Sequence, residues 1–335
     1  MMPHRPVTRR DFMGKTAATL GVAALATPLL GHRAALAGTP LSFQFDWKFN
    51  AQFAGVFGAI DAGLYDAQGI AMTPRAWEDG VNVVMDVAEG RADFACAEQN
   101  LIIAAQAGGA PLRAVATMFQ ASPYGLMTTP DTPLASLADL KGKTVGVHVD
   151  GVKIMDLVKG VNDLPDIEVV EIPYGDKFAR VLSGELAAVQ CYVIDEPIGV
   201  AAATGTDPKV LKLSDFGLVS TAQTMIVSEK MLTDQPDLIK AAVQATFAGW
   251  AAVLADKPAA AEMIVAKFVP DGSSYKDVAY QTRTLELLEP YVMAGGTPGR
   301  INPAIWAKAA ELMLTYGIVS ALPDMTRTLS PDMFG

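Results

Sequence analysis

"FDWKFNAQFAGVFGAIDAGLYDAQGI", Phe45–Ile70, sets a short apolar run against an aromatic-rich amphipathic stretch, with Asp46, Trp47, Asn50 and Gln52 between them. The spacing predicts a strand handing over to a helix, Ala51–Ala67, across a polar hinge. The alternation continues. Strand patterns recur at "IAMTPRAW", "ADFACA", "LRAVATMF", "YGLMTT", "KTVGVHV", "IEVVEIP", "AAVQCYV", "KVLKLS" and "QTMIVS". Helical patterns run between them, with Gly and Pro at most junctions. Apolar strands of this length suit sheets covered on both faces, so the chain reads as α/β with mostly parallel strands.

After about Leu232 the strands stop and four helical segments follow, assigned here to the first lobe. Pro236 and Pro303 sit near helix starts and Gly317 at a stop. The expected organisation is a discontinuous first lobe, 38–124 and 222–335, with a second lobe, 125–221, inserted between. Such an insertion creates an interlobe cleft, a common place for a ligand. In open α/β sheets ligands sit beyond the carboxyl ends of strands, which would put Asp46–Gln52 on the cleft wall.

The first residues read as a leader. Arg9 and Arg10 precede Phe12, a mildly apolar stretch and Ala35-Leu36-Ala37, the order of a twin-arginine signal peptide cleaved after about Ala37. Residues 1–37 hold five of the 26 Lys and Arg and one of the 36 Asp and Glu, which leaves 21 against 35, a net charge of −14. That balance argues against nucleic acid or anionic lipid as a partner. No other apolar run is expected to reach the roughly 20 residues of a membrane span. The chain is read as an exported, soluble, monomeric protein. Cys96 and Cys191 fall in different lobes and are read as separate buried thiols. Three histidines, of which only His148 lies beyond the leader, provide poorly for a metal site or a histidine-dependent triad.

Trp47, Trp77, Phe119, Tyr174 and Tyr192 fall near strand ends, where their faces could stack on a flat ring. Each could equally be a core aromatic. Asp46, Asn50, Gln52, Glu98, Gln120 and Glu196 supply donors and acceptors for a ring edge. Lys48, Lys153 and Lys177 are the nearby cations. Asp195 could simply cap a helix opening at Pro197, with Glu196 in its positive first turn. "GKTVGVHVDG" is not a phosphate loop, because Lys143 and Thr144 precede a strand instead of opening a helix; Asp150-Gly151 reads as a helix start, and His148 as structural or at a rim.

Taken in order, "DWKFNAQFAGVFGAIDAGLYDAQGI", "EGRADFACAEQNLIIAAQAGGAPLRAVATMFQASPYGLM", "GKTVGVHVDG" and "GELAAVQCYVIDEP" resemble the blocks of the periplasmic solute-binding proteins of the thiamine-pyrimidine-precursor branch, within the nitrate, sulfonate and taurine binding superfamily. The likeness spans almost all of Leu41–Pro258. It implies a type II periplasmic-binding-protein-like fold and a binding component of an ABC importer, with an inner-membrane permease as partner. It further implies a heteroaromatic ligand such as a thiamine pyrimidine precursor or riboflavin, and places Glu196 at the cleft. No cofactor, metal or catalytic residue is expected. The alternatives are a binder of sulfonate, taurine or nitrate, a ligand-sensing partner of a membrane receptor, and a secreted pyrimidine-metabolising enzyme. Synthases of the superfamily consume their own histidine, which in an ungapped match falls at Phe53, and their cysteine run is reduced to Cys191. Ligand contacts are therefore expected from Asp46, Trp47, Asn50, Gln52, Trp77, Glu98, Gln120, Tyr174, Tyr192 and Glu196.

Overall fold

A computed structural model describes residues 38–173, 177–296, 298–330 and 333–334. The leader reading therefore falls outside the described residues, as does Tyr174. The strands are β1 (Thr39–Gln44), β2 (Ile70–Arg75), β3 (Phe94–Ala97), β4 (Leu112–Phe119), β5 (Tyr124–Thr128), β6 (Thr144–Val147), β7 (Glu168–Glu171), β8 (Ala188–Tyr192), β9 (Lys209–Lys212) and β10 (Ala222–Ser228). They form two five-stranded sheets, ordered β2-β1-β3-β10-β4 and β7-β6-β8-β5-β9. In each, three parallel strands are followed by one antiparallel strand, β10 or β5, and by an edge strand, β4 or β9, that runs with the first three. Each sheet is the centre of one lobe.

The helices are α1 (Ala54–Asp61), α2 (Val83–Ala88), α3 (Gln99–Ala107), α4 (Val149–Val161), α5 (Lys177–Leu182), α6 (Glu196–Thr204), α7 (Glu229–Asp234), α8 (Pro236–Ala255), α9 (Lys257–Lys267), α10 (Val278–Met293), α11 (Pro303–Thr315) and α12 (Met325–Thr328). One face of the first sheet packs Phe43, Phe45 and Phe94 against α1, α8 and α10 through Phe57, Trp250, Leu285 and Leu288. The helix expected over Ala51–Ala67 is shorter. A 3-10 turn opens it at Ala51–Phe53, and Gly63, at φ 64°, lies in the turn that follows α1.

Helix α8 corrects one expectation, because it is long and apolar enough to cross a membrane by length and composition. Its Ile239, Ala242, Val243, Gly249 and Trp250 are instead buried in the protein, as in a core helix. It lies against α1 at backbone contact distance. A Cβ placed on Gly249 would come 2.1 Å from the Gly55 carbonyl oxygen and 2.6 Å from the Ala59 nitrogen. Glycine is required there by space alone.

The other face of the first sheet carries α2, α3 and α11, and its core runs on into the second lobe through Tyr124, Leu126, Val145, Ile154 and Leu157. Helix α11 packs on α3, as a helix of the first lobe would, and the residue after it, Tyr316, rests on Gly160 of α4. The last long helix thus touches both lobes. A separate cluster of Ile172, Val181, Leu186, Val189 and Val200 fills the far side of the second sheet. The chain passes between the sheets twice, from β4 to β5 and from β9 to β10. The two passages lie side by side, with the Ser122 amide donating to the Ser220 carbonyl at 2.9 Å.

Candidate functional site

Strands β1, β2, β3, β6 and β8, parallel within their sheets, end at one cavity of about 560 Å³. Beyond β1 come Asp46 and Trp47, beyond β2 Trp77, beyond β3 Glu98, and beyond β6 His148 and Asp150. Gln190, Tyr192, Asp195 and Glu196 lie on or beyond the end of β8. Strand β10 runs the opposite way, so its first residues join the same end and Gln223 enters the wall. Gathering at strand carboxyl ends is where open α/β sheets place ligands.

The hinge that opens the chain is held by its own polar groups. Asn50 caps the 3-10 turn, its Oδ1 accepting from the Gln52 amide at 2.7 Å, while Gln281 Oε1 accepts from the Ala51 amide at 2.7 Å. These bonds turn Asp46, Trp47 and Gln52 toward the cavity. Trp47 stacks on Trp77, with ring centroids 5.7 Å apart and planes 22° apart, and its Nε1 donates to Tyr275 Oη at 2.7 Å. The tryptophan between an acid and two amides is therefore half of an aromatic wall tied into polar surroundings.

The lobes are joined across the cavity floor. Asp195, at the start of α6 in the second lobe, accepts from Gln52 Nε2 at 2.7 Å, Tyr275 Oη at 3.1 Å and Tyr280 Oη at 2.5 Å, all from the first lobe. Tyr192 donates across the cleft to Glu98. In the second lobe Tyr124 donates to Asp150, and Gln190 donates to Tyr124 Oη at 2.8 Å. Glu196 pairs with Lys177 and accepts from the Tyr192 amide at 2.6 Å.

The electrostatics are dominated by acids that share little solvent. Burial pushes Asp46 up to about 7, opposed by the hydrogen bond from Gln223 and reinforced by the Asp150 charge. Burial also raises Glu98 well above the usual carboxylate range, with Asp46 and Asp150 adding to it. Asp195 is pushed up to about 7 by burial and by Glu196, despite the tyrosine hydrogen bonds. His148 is lowered by burial and by Lys177, which favours a neutral imidazole. None of the described residues lining the cavity is a lysine or arginine. A site of this kind favours a ligand that brings N–H donors or positive charge.

Of the residues singled out from sequence, Asp46, Trp47, Gln52, Trp77, Glu98, Tyr192 and Glu196 line the cavity. Asn50 and Gln120 do not. Asn50 is fully buried behind the hinge as a helix cap, and Gln120 Nε2 is turned away to the Arg300 carbonyl at 3.1 Å. Phe119 is core, packed near Trp250. Lys48 is exposed and sits 6.0 Å from the Trp47 ring centroid. Sequence reasoning left out Gln190, Gln223 and the carboxylate of Asp195, read His148 as structural or at a rim, and read Asp150 as part of a helix start. The cysteines are buried and unbonded to each other, and no His, Cys, Asp and Glu group suited to a metal occurs among the described residues.

Comparison with known proteins agrees with this architecture. The chain is 26% identical over 300 residues to the riboflavin-binding protein RibY of Chloroflexus aurantiacus, which covers 84% of this chain and 82% of that one. It is 25% identical over 241 residues to the 4-amino-5-hydroxymethyl-2-methylpyrimidine phosphate synthase of Legionella pneumophila, covering 69% and 74%. The alkanesulfonate-binding protein SsuA from Xanthomonas axonopodis pv. citri, solved with MOPS, superposes with a TM-score of 0.67 at 14% identity, covering 87% of this chain and 99% of that one. The fold is thus that of the periplasmic binding proteins. With the NMT1/THI5 like family matching residues 50–261, the chain belongs to that family.

Proposed function

We propose that this protein is the periplasmic binding component of an ABC importer and closes its lobes over a flat, donor-bearing heterocycle. A pyrimidine precursor of thiamine or a flavin has that chemistry. The observation that carries the reading is the wall itself, a stacked tryptophan pair facing acids and amides with no lysine or arginine among the described lining residues. The relatives named for riboflavin binding and for pyrimidine synthesis support it. The proposed setting is export by the twin-arginine route, cleavage near Ala37, a monomeric binding protein, and delivery to an inner-membrane permease. Ligand contacts from both lobes would favour the closed population in proportion to their differential affinity.

No bond chemistry enters this mechanism. Phe53, where a self-consuming histidine would fall, is fully buried and stacked on Phe45 at 4.0 Å. Turnover of a pyrimidine by the purified protein would displace the binding reading.

A titration series separates the ligand classes. For a ligand whose own charge is constant from pH 5 to 8, a donor or cation needs Asp46 ionised. Its affinity should rise with pH by up to about tenfold per unit below 7. A sulfonate should show the opposite trend, because it meets fewer charges when the acids are protonated. Calorimetry across that range with riboflavin and an alkanesulfonate, neither of which changes charge there, makes the comparison, and tight sulfonate binding that weakens as pH rises would refute the donor-ligand reading. In the same assay Trp47→Ala should weaken the heterocycle by roughly 1–3 kcal/mol, the scale of base–aromatic stacking. Unchanged affinity with an intact fold would remove Trp47 from the contact set.

A further inference from the structure

The cavity has a second half that the polar wall does not use. Glu98 immediately precedes α3 without a side-chain capping bond, and Leu101 and Ala105 follow on the same helical face, both lining the cavity. At 1.5 Å per residue they lie roughly 4.5 and 10 Å along the axis from Glu98, moving away from the acids. Val81, Val84 and Met85, leading into and along α2, line the cavity beside them. Opposite, at the start of α4, stands Val149, 63% exposed, an unusual placement for a branched apolar side chain at a cleft. The carboxylates and amides with buried hydrogen bonds all belong to the strand-end half. Asp79 and Asn82, the polar groups beside the apolar half, are exposed.

The volume agrees with two compartments. A cavity of about 560 Å³ lies in the range of sites that hold drug-sized ligands. A single six-membered ring with small substituents is smaller than such ligands and leaves part of it unfilled. Water retained against Leu101, Ala105, Met85 and Val149 would have few polar partners, so an apolar group should displace it favourably.

The geometry points to a two-part ligand, a donor-bearing ring against the Trp47 wall joined to an apolar group of about ring size that lies along α3 between Leu101, Ala105, Met85 and Val149. This rests on the proposal that the cleft binds a heterocycle, and it narrows the ligand class to extended or fused molecules over lone pyrimidines.

Matched probe pairs test it by calorimetry. One pair is 4-amino-5-hydroxymethyl-2-methylpyrimidine and its benzyl ether; the other is methanesulfonate and phenylmethanesulfonate, so that the head-group reading and the apolar compartment fail separately. Within whichever pair binds, the ring-bearing member should bind about tenfold tighter or more, the scale of burying a ring-sized apolar surface. That ratio should collapse toward unity in Leu101→Gln and in Ala105→Gln, two variants so that a misfolded one does not decide the matter. If only the sulfonate pair binds and shows this ratio, the head-group reading is lost and the apolar compartment stands. Equal affinities within the binding pair, a ratio that survives both substitutions, or no binding by any of the four overturns the inference.

Discussion

Gly249→Ala should cost about 3 kcal/mol or more of stability, at the upper end of overpacking penalties. In an exposed helix the same exchange gains about 1 kcal/mol of propensity, so the sign alone is informative. The reason is that the added carbon meets backbone, not a side chain able to turn aside: the Gly55 carbonyl at 2.1 Å and the Ala59 nitrogen at 2.6 Å. Gly58 presses on the same crossing, where a Cβ would meet Val253 at 2.6 Å and the Gly249 carbonyl at 3.1 Å. Relief requires α1 and α8 to separate, and α1 begins immediately after the hinge that aims Gln52 at the cavity. Urea denaturation of this variant beside Ala248→Gly, on the exposed side of α8, checks it. Equal or raised stability for Gly249→Ala would show that the two helices part without cost.

Asp195→Ala should have the largest effect on how the lobes hold together. It leaves Gln52 Nε2 and Tyr275 Oη as donors facing a void, at about 1–3 kcal/mol for each group left unsatisfied, while Tyr280 Oη keeps the backbone carbonyl of residue 195 at 3.0 Å. Since the donors and the carboxylate come from different lobes, the loss should appear as faster amide exchange in 275–282 and a larger radius in solution scattering before either lobe unfolds. Asp195→Asn retains an acceptor and should be milder. The pH dependence has a definite sign. A carboxyl whose folded pKa, about 7, exceeds its model value of 3.8 holds its proton longer in the folded protein. Its contribution is full below about 4 and falls as pH rises to about 7. Asp195→Asn should flatten that part of the stability profile, and an unaltered slope would dissociate Asp195 from it.

Much of this was legible in the chain because strand-to-helix alternation is local. Asp46, Trp47, Gln52, Trp77, Glu98, Tyr192 and Glu196 were found by asking which polar or aromatic residues follow a strand. That rule fails where direction in the sheet matters. Gln223 starts an antiparallel strand, and only the order β3-β10-β4, set by long-range pairing, brings that start to the carboxyl ends of its neighbours. It also adopts φ 50°, a left-handed backbone that a glutamine pattern does not announce. Gln120 follows β4, an edge strand, and turns outward to the C-terminal segment. Asn50 satisfied the rule but serves the hinge from behind. Leu101 and Ala105 carry no signal of their own in the sequence, because helical periodicity does not distinguish a face against protein from a face against a cavity.

The bond from Ser122 to Ser220 fastens the two interlobe passages into a short ribbon. A ribbon bends readily across its width and resists shear along it, so sliding or corkscrew movements of one lobe past the other would have to break that bond. What is left is a single swing angle. A pair of spectroscopic labels on opposite lips of the cleft would then follow the entire excursion as one distance, and its distribution would broaden along one coordinate only.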